Sequence, residues 1–217
     1  MVSANTVAII GGTGQEGKAL ALRGAAAGRR VIIGSRELER ARAAAAEIAA
    51  KVPGSQVQGL GNLDAARQAD TIVVTVPPNG HRNTFEGLRG FVDGKVVIDT
   101  TARVDPRAPR PPAPPAAAQD AQSILGPQAR VVAAFQNVPA HVLAQLGREV
   151  KSDAFVCSDD AEAKEVVMAL AEAAGMRAFD AGPLANAIVV EGLTALIIAL
   201  NKRYKSRSGG IRVTGLR

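Results

Sequence analysis

Short apolar runs rich in β-branched residues recur along the chain, separated by alanine-rich stretches of helical period. "TVAII" (Thr6 to Ile10) reads as a first strand, "GKALALRGAAAG" (Gly17 to Gly28) as a helix closed by glycine, "RVIIGS" (Arg30 to Ser35) as a second strand, and "ELERARAAAAEIAAKV" (Glu37 to Val52) as a second helix. The runs "QVQGL", "TIVVTV", "KVVIDT" and "RVVAAF" read as further strands. Most are apolar throughout rather than alternating, as expected of strands covered on both faces, so the pattern predicts an α/β fold with a doubly wound, mainly parallel sheet. "AFVCS" and "RAFDA" are two later strands flanking a helix with an acidic first turn and a terminal glycine, "DDAEAKEVVMALAEAAG". A long helix follows, "LANAIVVEGLTALIIALNKRY" (Leu184 to Tyr204), apolar on most faces and therefore expected inside a core or an oligomer interface. One stretch breaks the pattern. "DPRAPRPPAPPAAAQ" (Asp105 to Gln119) carries six prolines between Pro106 and Pro115, which forbid helix and favour an extended loop, placed after the strand "KVVIDT" and so on the ligand side of the sheet.

The first strand runs into "GGTGQEGKAL". Gly12, Gly14 and Gly17 form G-x-G-x-x-G, the dinucleotide fingerprint, while Gly12, Gly17 and Lys18 nearly form a nucleoside-triphosphate loop. The latter needs a hydroxyl after the lysine to hold magnesium; the residue there is Ala19, which removes that reading. In the dinucleotide reading each glycine has a task. Gly12 makes the tight turn, Gly14 lets a pyrophosphate approach the backbone, and Gly17 lets helix and strand pack closely, with the helix N-terminus aimed at the anion. The setting between a strand and a helix makes this a Rossmann-type domain.

The end of the second strand selects the cofactor. An Asp or Glu there would bond the ribose 2′-hydroxyl of NAD; this chain has "GSRELER". Ser35 offers a hydroxyl, Arg36 a planar cation suited to phosphate, and Arg40 a second cation one helical turn on, a set that points to NADP.

Composition narrows the remaining classes. Cys157 is the sole cysteine and is read as a buried strand residue, and the two histidines, His81 and His141, are too few for a typical zinc site, so no metal is expected. Aromatic residues make up 3% of the chain, too few for stacking on single-stranded nucleic acid, and the dense basic stretch "NKRYKSRSGGIR" has no groove-reading motif around it; no nucleic-acid partner is expected. The opening "MVSANTV" lacks a basic leader and no apolar run reaches the roughly 18 residues of a membrane span, so a cytoplasmic protein without a membrane partner is expected. The net charge of +6 favours anionic small molecules.

With these residues placed, the chain resembles the NADPH-dependent coenzyme F420 reductase family over nearly its whole length. "IIGGTGQEGKALALR" and "VIIGSRELER" match the NADP half, and the "DAGPL-N" turn, the "E-LT-LI" helix and the tail "GGIRVTG" match the C-terminal half. The resemblance implies hydride transfer between NADP(H) and the deazaflavin coenzyme F420. It also implies an NADP-binding domain over residues 1–137, a smaller, mostly helical domain over 138–217, and a homodimer built partly through the C-terminal helices. By matching position it assigns Gly12, Thr13, Gly14, Gln15, Glu16, Gly17, Ser35, Arg36 and Arg40 to NADP. Pro77, Pro78, Ala140 and the tail Gly209 fall at its nicotinamide end, and Asn137, Val138 and Thr194 on the deazaflavin side. Two departures stand out: Gln136 where some members have histidine, and the proline-rich loop. Hydride passage between two bound cofactors needs alignment more than a side-chain acid, and no catalytic residue is assigned for it. Two other readings keep the scaffold. An NADPH-dependent imine or ketone reductase would need a proton donor, for which Glu191, then His81 and His141, are the candidates; a non-catalytic NADP sensor would need none.

Overall fold

The computed structural model describes residues 6–216; residues 1–5, read above for a leader, lie outside them. Six strands form one parallel sheet: β1 (Val7–Ile10), β2 (Val31–Ser35), β3 (Val57–Gly61), β4 (Thr71–Val74), β5 (Val96–Asp99) and β6 (Arg130–Ala133), in the order β3-β2-β1-β4-β5-β6. Every pairing is parallel, for example Val7 with Val31 on one side and with Thr71 on the other. Strands are added to one side of β1 up to β3 and to its other side from β4 on, so the crevice beyond the carboxyl end of β1 is where such sheets bind ligands.

The helices cover both faces. On one lie α1 (Gln15–Ala26) and α2 (Leu38–Lys51); on the other α3 (Asn62–Gln68), α4 (His81–Leu88) and α5 (Ala117–Leu125). Ile9, Ile33, Val73, Ile98 and Val132 pack into the first layer, and Ala8, Ile10, Ile32, Ile72, Val74 and Val97 into the second. This double burial is why the strands read as continuous apolar runs. Alanine supplies much of the helix side of each layer, which lets helices approach closely. The tightest approach is at Gly59 of β3, where a Cβ would lie 2.3 Å from the carbonyl carbon of Ala41 in α2.

After β6 come a short α6 (Ala140–Leu143), β7 (Ala154–Val156), α7 (Ala161–Ala173), β8 (Ala178–Asp180) and α8 (Ala187–Arg203), the last preceded by a turn of 3-10 helix at Leu184–Asn186. β7 and β8 form a separate parallel pair, tied to the main sheet by an antiparallel bridge between Ala133 and Cys157. The C-terminal half shares its core with the first. Arg23 of α1, 9% exposed, donates to the carbonyls of Leu143, Gln145, Arg148 and Ala174 and so pins the segments around α6 and α7 to the first helix.

Two expectations need amending. The first helix begins at Gln15 rather than Gly17, because Gly14 is its N-cap. Contrary to the expectation that no apolar run is long enough, the segment Leu184–Arg203 could cross a membrane by length and composition, its apolar residues being interrupted midway by Glu191. In this fold Glu191 is fully buried and hydrogen-bonded to the segment between β5 and α5, while Val189, Leu196, Leu200 and Tyr204 are exposed.

Candidate functional site

A cleft of about 630 Å³ opens at the carboxyl end of the sheet, lined by the β1–α1 loop, the end of β2, the start of α3 and the segment from Thr75 into α4. Its size falls in the range of ligand pockets. Gly12 and Gly17 lie beneath the loop. A Cβ on Gly12 would meet the Ile9 carbonyl oxygen at 2.6 Å, and one on Gly17 would meet the Gly12 Cα at 2.6 Å and the Thr75 hydroxyl at 2.7 Å. Both must be glycine because backbone passes against backbone. Gly14 differs: a Cβ there would meet only the Gly11 carbonyl oxygen at 3.6 Å, so its surface is open. Gly14 caps α1 without a side-chain hydrogen bond. The first amides of the helix therefore face the cleft mouth with their dipole, an arrangement that fits a pyrophosphate. Lys18 is turned away, 2.6 Å from Glu47 on α2, which agrees with setting aside the triphosphate reading.

Thr13, Gly14, Ser35, Arg36, Arg40 and Pro77, all named from the sequence, line this cleft together. Ser35 is buried at the end of β2, and its oxygen accepts from the Glu37 amide at 3.1 Å, leaving the hydroxyl proton to donate. Arg40 lies 3.1 Å from Glu37, whereas among the described residues Arg36 has no ion-pair partner. An exposed guanidinium over a buried hydroxyl and a helix start is a grip for a phosphate monoester. Asn62, Leu63, Thr75, Asn79, Asn83 and Thr84 are among the other lining residues and were not named from the sequence. They come from the start of α3, the turn after β4 and the first half of α4, where no fingerprint marks them.

Beyond Pro77 and Pro78 the chain ends of β5 and β6 bring buried polar groups together. The His81 ring nitrogen Nε2 lies 2.8 Å from Asp99 Oδ2, and the Thr101 amide donates to Asp99 Oδ1 at 3.0 Å. Glu16, in the first turn of α1, faces the same place: burial pushes its carboxyl up to about 8, helped by the Asp99 carboxylate and opposed by a hydrogen bond from Thr100. The sequence named Glu16 for the cofactor and His81 as a possible acid, but not their meeting at Asp99. Phe135, fully buried, has φ 75°, a left-handed conformation unusual for a bulky residue, and it turns the chain sharply after β6. Gln136 then donates to the Asp99 carbonyl at 3.0 Å, and Asn137 to the Asp153 carbonyl at 2.8 Å. Their side-chain oxygens, with the Thr101 hydroxyl, are buried without a partner, as a site built for a polar ligand would leave them.

The remaining named residues do not line the cleft. Val138 is buried behind the Phe135 turn, and the Thr194 hydroxyl of α8 donates to the Gln136 carbonyl at 2.9 Å, so both support that turn. Ala140 begins α6, with His141 exposed beside it. Gln15 is exposed at the helix start. Gly209 donates to Asn201 at 3.0 Å, and the tail beyond it is held by the buried Asp153, which accepts from the Val213 amide at 2.7 Å and pairs with Arg177 at 2.6 Å. Among the described residues no cluster of His, Cys, Asp or Glu is placed to hold a metal.

A profile described as NADP oxidoreductase coenzyme F420-dependent matches residues 6–103, from β1 through the end of β5. The F420-dependent NADP reductase of Methanothermobacter thermautotrophicus is 42% identical over 221 residues, covering 97% of this chain and 95% of that protein. This chain belongs to the F420-dependent NADP reductase family. The family's reductase from Methanocaldococcus jannaschii is 39% identical over 97% of this chain and 98% of its own length, so the likeness reaches well past the nucleotide half. A crystal structure from Arthrobacter sp. FB24 shares the fold, with a TM-score of 0.78 at 23% identity, covering 97% of this chain and 99% of that one.

Proposed function

We propose that this chain transfers a hydride between NADP(H) and coenzyme F420. The observation that carries the reading is the union, in one cleft, of an open glycine-capped helix start with Ser35, Arg40 and an Arg36 that has no ion-pair partner among the described residues, in a chain 42% identical to a family reductase over 97% of its length. When bound, the nicotinamide and the deazaflavin supply all the redox chemistry. The protein's contribution is orientation and exclusion of water. Gly12, Gly14 and Gly17 shape the pyrophosphate cradle with Thr13; Ser35, Arg36 and Arg40 hold the 2′-phosphate; Pro77 and Pro78 carry the nicotinamide end. Asn137, Val138 and Thr194 form the acceptor side by holding the turn after β6, whose free amide oxygens select the ring edge presented to them.

On this reading the chain divides near residue 137, with the nucleotide on residues 1–137 and the acceptor side at the start of 138–217. We further propose a cytoplasmic homodimer in which α8 is the shared element, supported by Val189, Leu196, Leu200 and Tyr204, which lie exposed along one helix.

The test is direct. Mixed with NADPH and F420, the protein is expected to bleach the visible absorbance of the deazaflavin, and added NADP to restore it. No change at saturating concentrations of both would overturn the reading.

A further inference from the structure

Two features singled out in the sequence, Glu191 and the proline-rich loop, belong to one device. Glu191 sits in the middle of α8 and is fully buried. Its Oε2 accepts from the Arg103 amide at 2.9 Å and its Oε1 from the Ala117 amide at 2.7 Å. These two amides stand at the two ends of the loop that leaves β5 and returns into α5, so one carboxylate closes residues 104–116 at its base. Arg103 reinforces the closure. Its guanidinium bonds Asp120 at 3.0 Å and the Pro115 carbonyl, and its Nε lies 3.6 Å from Glu191. The body of the loop then lies along the same helix: a Cβ on Gly192 would be 3.6 Å from the Pro111 side chain, and Lys202 donates to the Arg107 carbonyl at 3.1 Å. Prolines stiffen the excursion itself, so fixing its ends fixes its course.

The neighbouring loop hangs from the same helix. Thr194, one turn after Glu191, holds the Gln136 carbonyl, and Gln136 in turn bonds the Asp99 carbonyl at the end of β5. Thus α8 sets the positions of both loops that rise from β5 and β6 at the ligand edge of the sheet.

We propose that Glu191 is a positioning residue for the hydride acceptor: it clamps the proline-rich loop closed against α8, so that the loop forms a preset wall on the acceptor side and discriminates among acceptors by shape. The proposal rests on the assignment of F420 to that side. It gives Glu191 no proton to transfer, because both of its oxygens are occupied by backbone amides. A glutamine can offer only one carbonyl oxygen, and its amide would face a backbone N–H, leaving a buried donor orphaned.

The experiment compares full-length wild type with Glu191→Gln and Glu191→Asp. F420 affinity is read from quenching of deazaflavin fluorescence, NADP affinity by calorimetry, kcat and KM by bleaching, and loop closure by the rate of tryptic cleavage after Arg107, which precedes Ala108. In Glu191→Gln we expect F420 Kd and KM to rise about tenfold, in line with one lost charge-assisted hydrogen bond. We expect NADP affinity to stay within about twofold of wild type on the same reasoning, and cleavage after Arg107 to accelerate. The aspartate variant should recover part of each effect. Faster cleavage with unchanged F420 affinity, or equal loss of both affinities, would overturn the proposal. Should Glu191→Gln not fold, replacing Pro109, Pro111 and Pro112 by glycine with Glu191 intact loosens the same wall; unchanged F420 affinity there would overturn it equally. A wild-type protein that neither binds nor reduces F420 would instead overturn the functional assignment, before any variant is read.

Discussion

Arg36 and Glu16 stand at different parts of the carboxyl end of the sheet, one lining the cleft and one facing Asp99, and each carries a prediction of its own kind. Arg36 stands free at the cleft mouth, so its positive charge is available to a 2′-phosphate, whereas Arg40 must share itself with Glu37. Replacing Arg36 by alanine is expected to weaken NADP binding by about 10- to 100-fold, the equivalent of one charge-assisted contact, and to leave NAD binding nearly unchanged. Titration of each nucleotide by calorimetry checks it; Arg40→Ala should show a smaller loss. Glu16 speaks through pH. Its carboxyl moves from an ordinary 4.5 up to about 8 in the fold, so the folded state holds a proton that the unfolded state has released. Stability from this group is whole below about 4.5, falls as pH rises towards about 8, and levels off above it. Glu16→Gln should flatten that slope, and its melting temperature should exceed that of the wild type by a few degrees above pH 8 (on the order of 1 kcal/mol), as a series of melts in the absence of nucleotide would show. Both residues could be singled out from the sequence because they sit within or beside a fingerprint. The His81–Asp99 pair that meets Glu16 was not, since its members come from α4 and β5 and nothing local announces their meeting.

At the scale of elements, the central strands β1, β2, β4, β5 and β6 were legible because burial on both faces leaves mostly β-branched, apolar runs, whereas β3, β7 and β8 are less buried or shorter and carry few such residues. The short helices α3 to α6 were less so. They have seven, eight, nine and four residues, too few for a helical period to assert itself against neighbouring Gly and Pro. Nor did the sequence expose why Gly59 interrupts the run "QVQGL". The structure answers with α2, whose backbone at Ala41 lies where a side chain would begin. Gly59→Ala is therefore expected to cost about 2–3 kcal/mol and to lower the melting temperature by roughly 5–10 °C, because helix and strand must move apart along their whole contact. Gly54→Ala, whose Cβ would meet nothing, pays only for its left-handed backbone, at φ 81°, and serves as the comparison. Thermal melts of the two variants separate crowding from backbone strain.

For the whole molecule, the exposed side of α8 is the feature that a single copy leaves unanswered. The sequence showed a helix apolar on most faces; the structure divides those faces between its own core and an open stripe. On the homodimer proposed above, Leu196→Lys should shift the protein towards monomer in sedimentation velocity while leaving NADP affinity unchanged, because Leu196 is exposed on α8 and does not line the cleft. The two halves meet at another kind of seam, the bridge of Ala133 and Cys157, closed by reciprocal amide bonds of 2.9 and 3.0 Å. The only thiol in the chain lies there, fully buried, and burial pushes it up to about 11. A thiol so placed is silent towards alkylating reagents until the small sheet lifts from the large one. The protein thus contains its own clock: the rate at which Cys157 takes up a label counts openings of that single junction, and the slowing of that rate on adding each nucleotide would weigh how firmly either ligand holds the two halves shut.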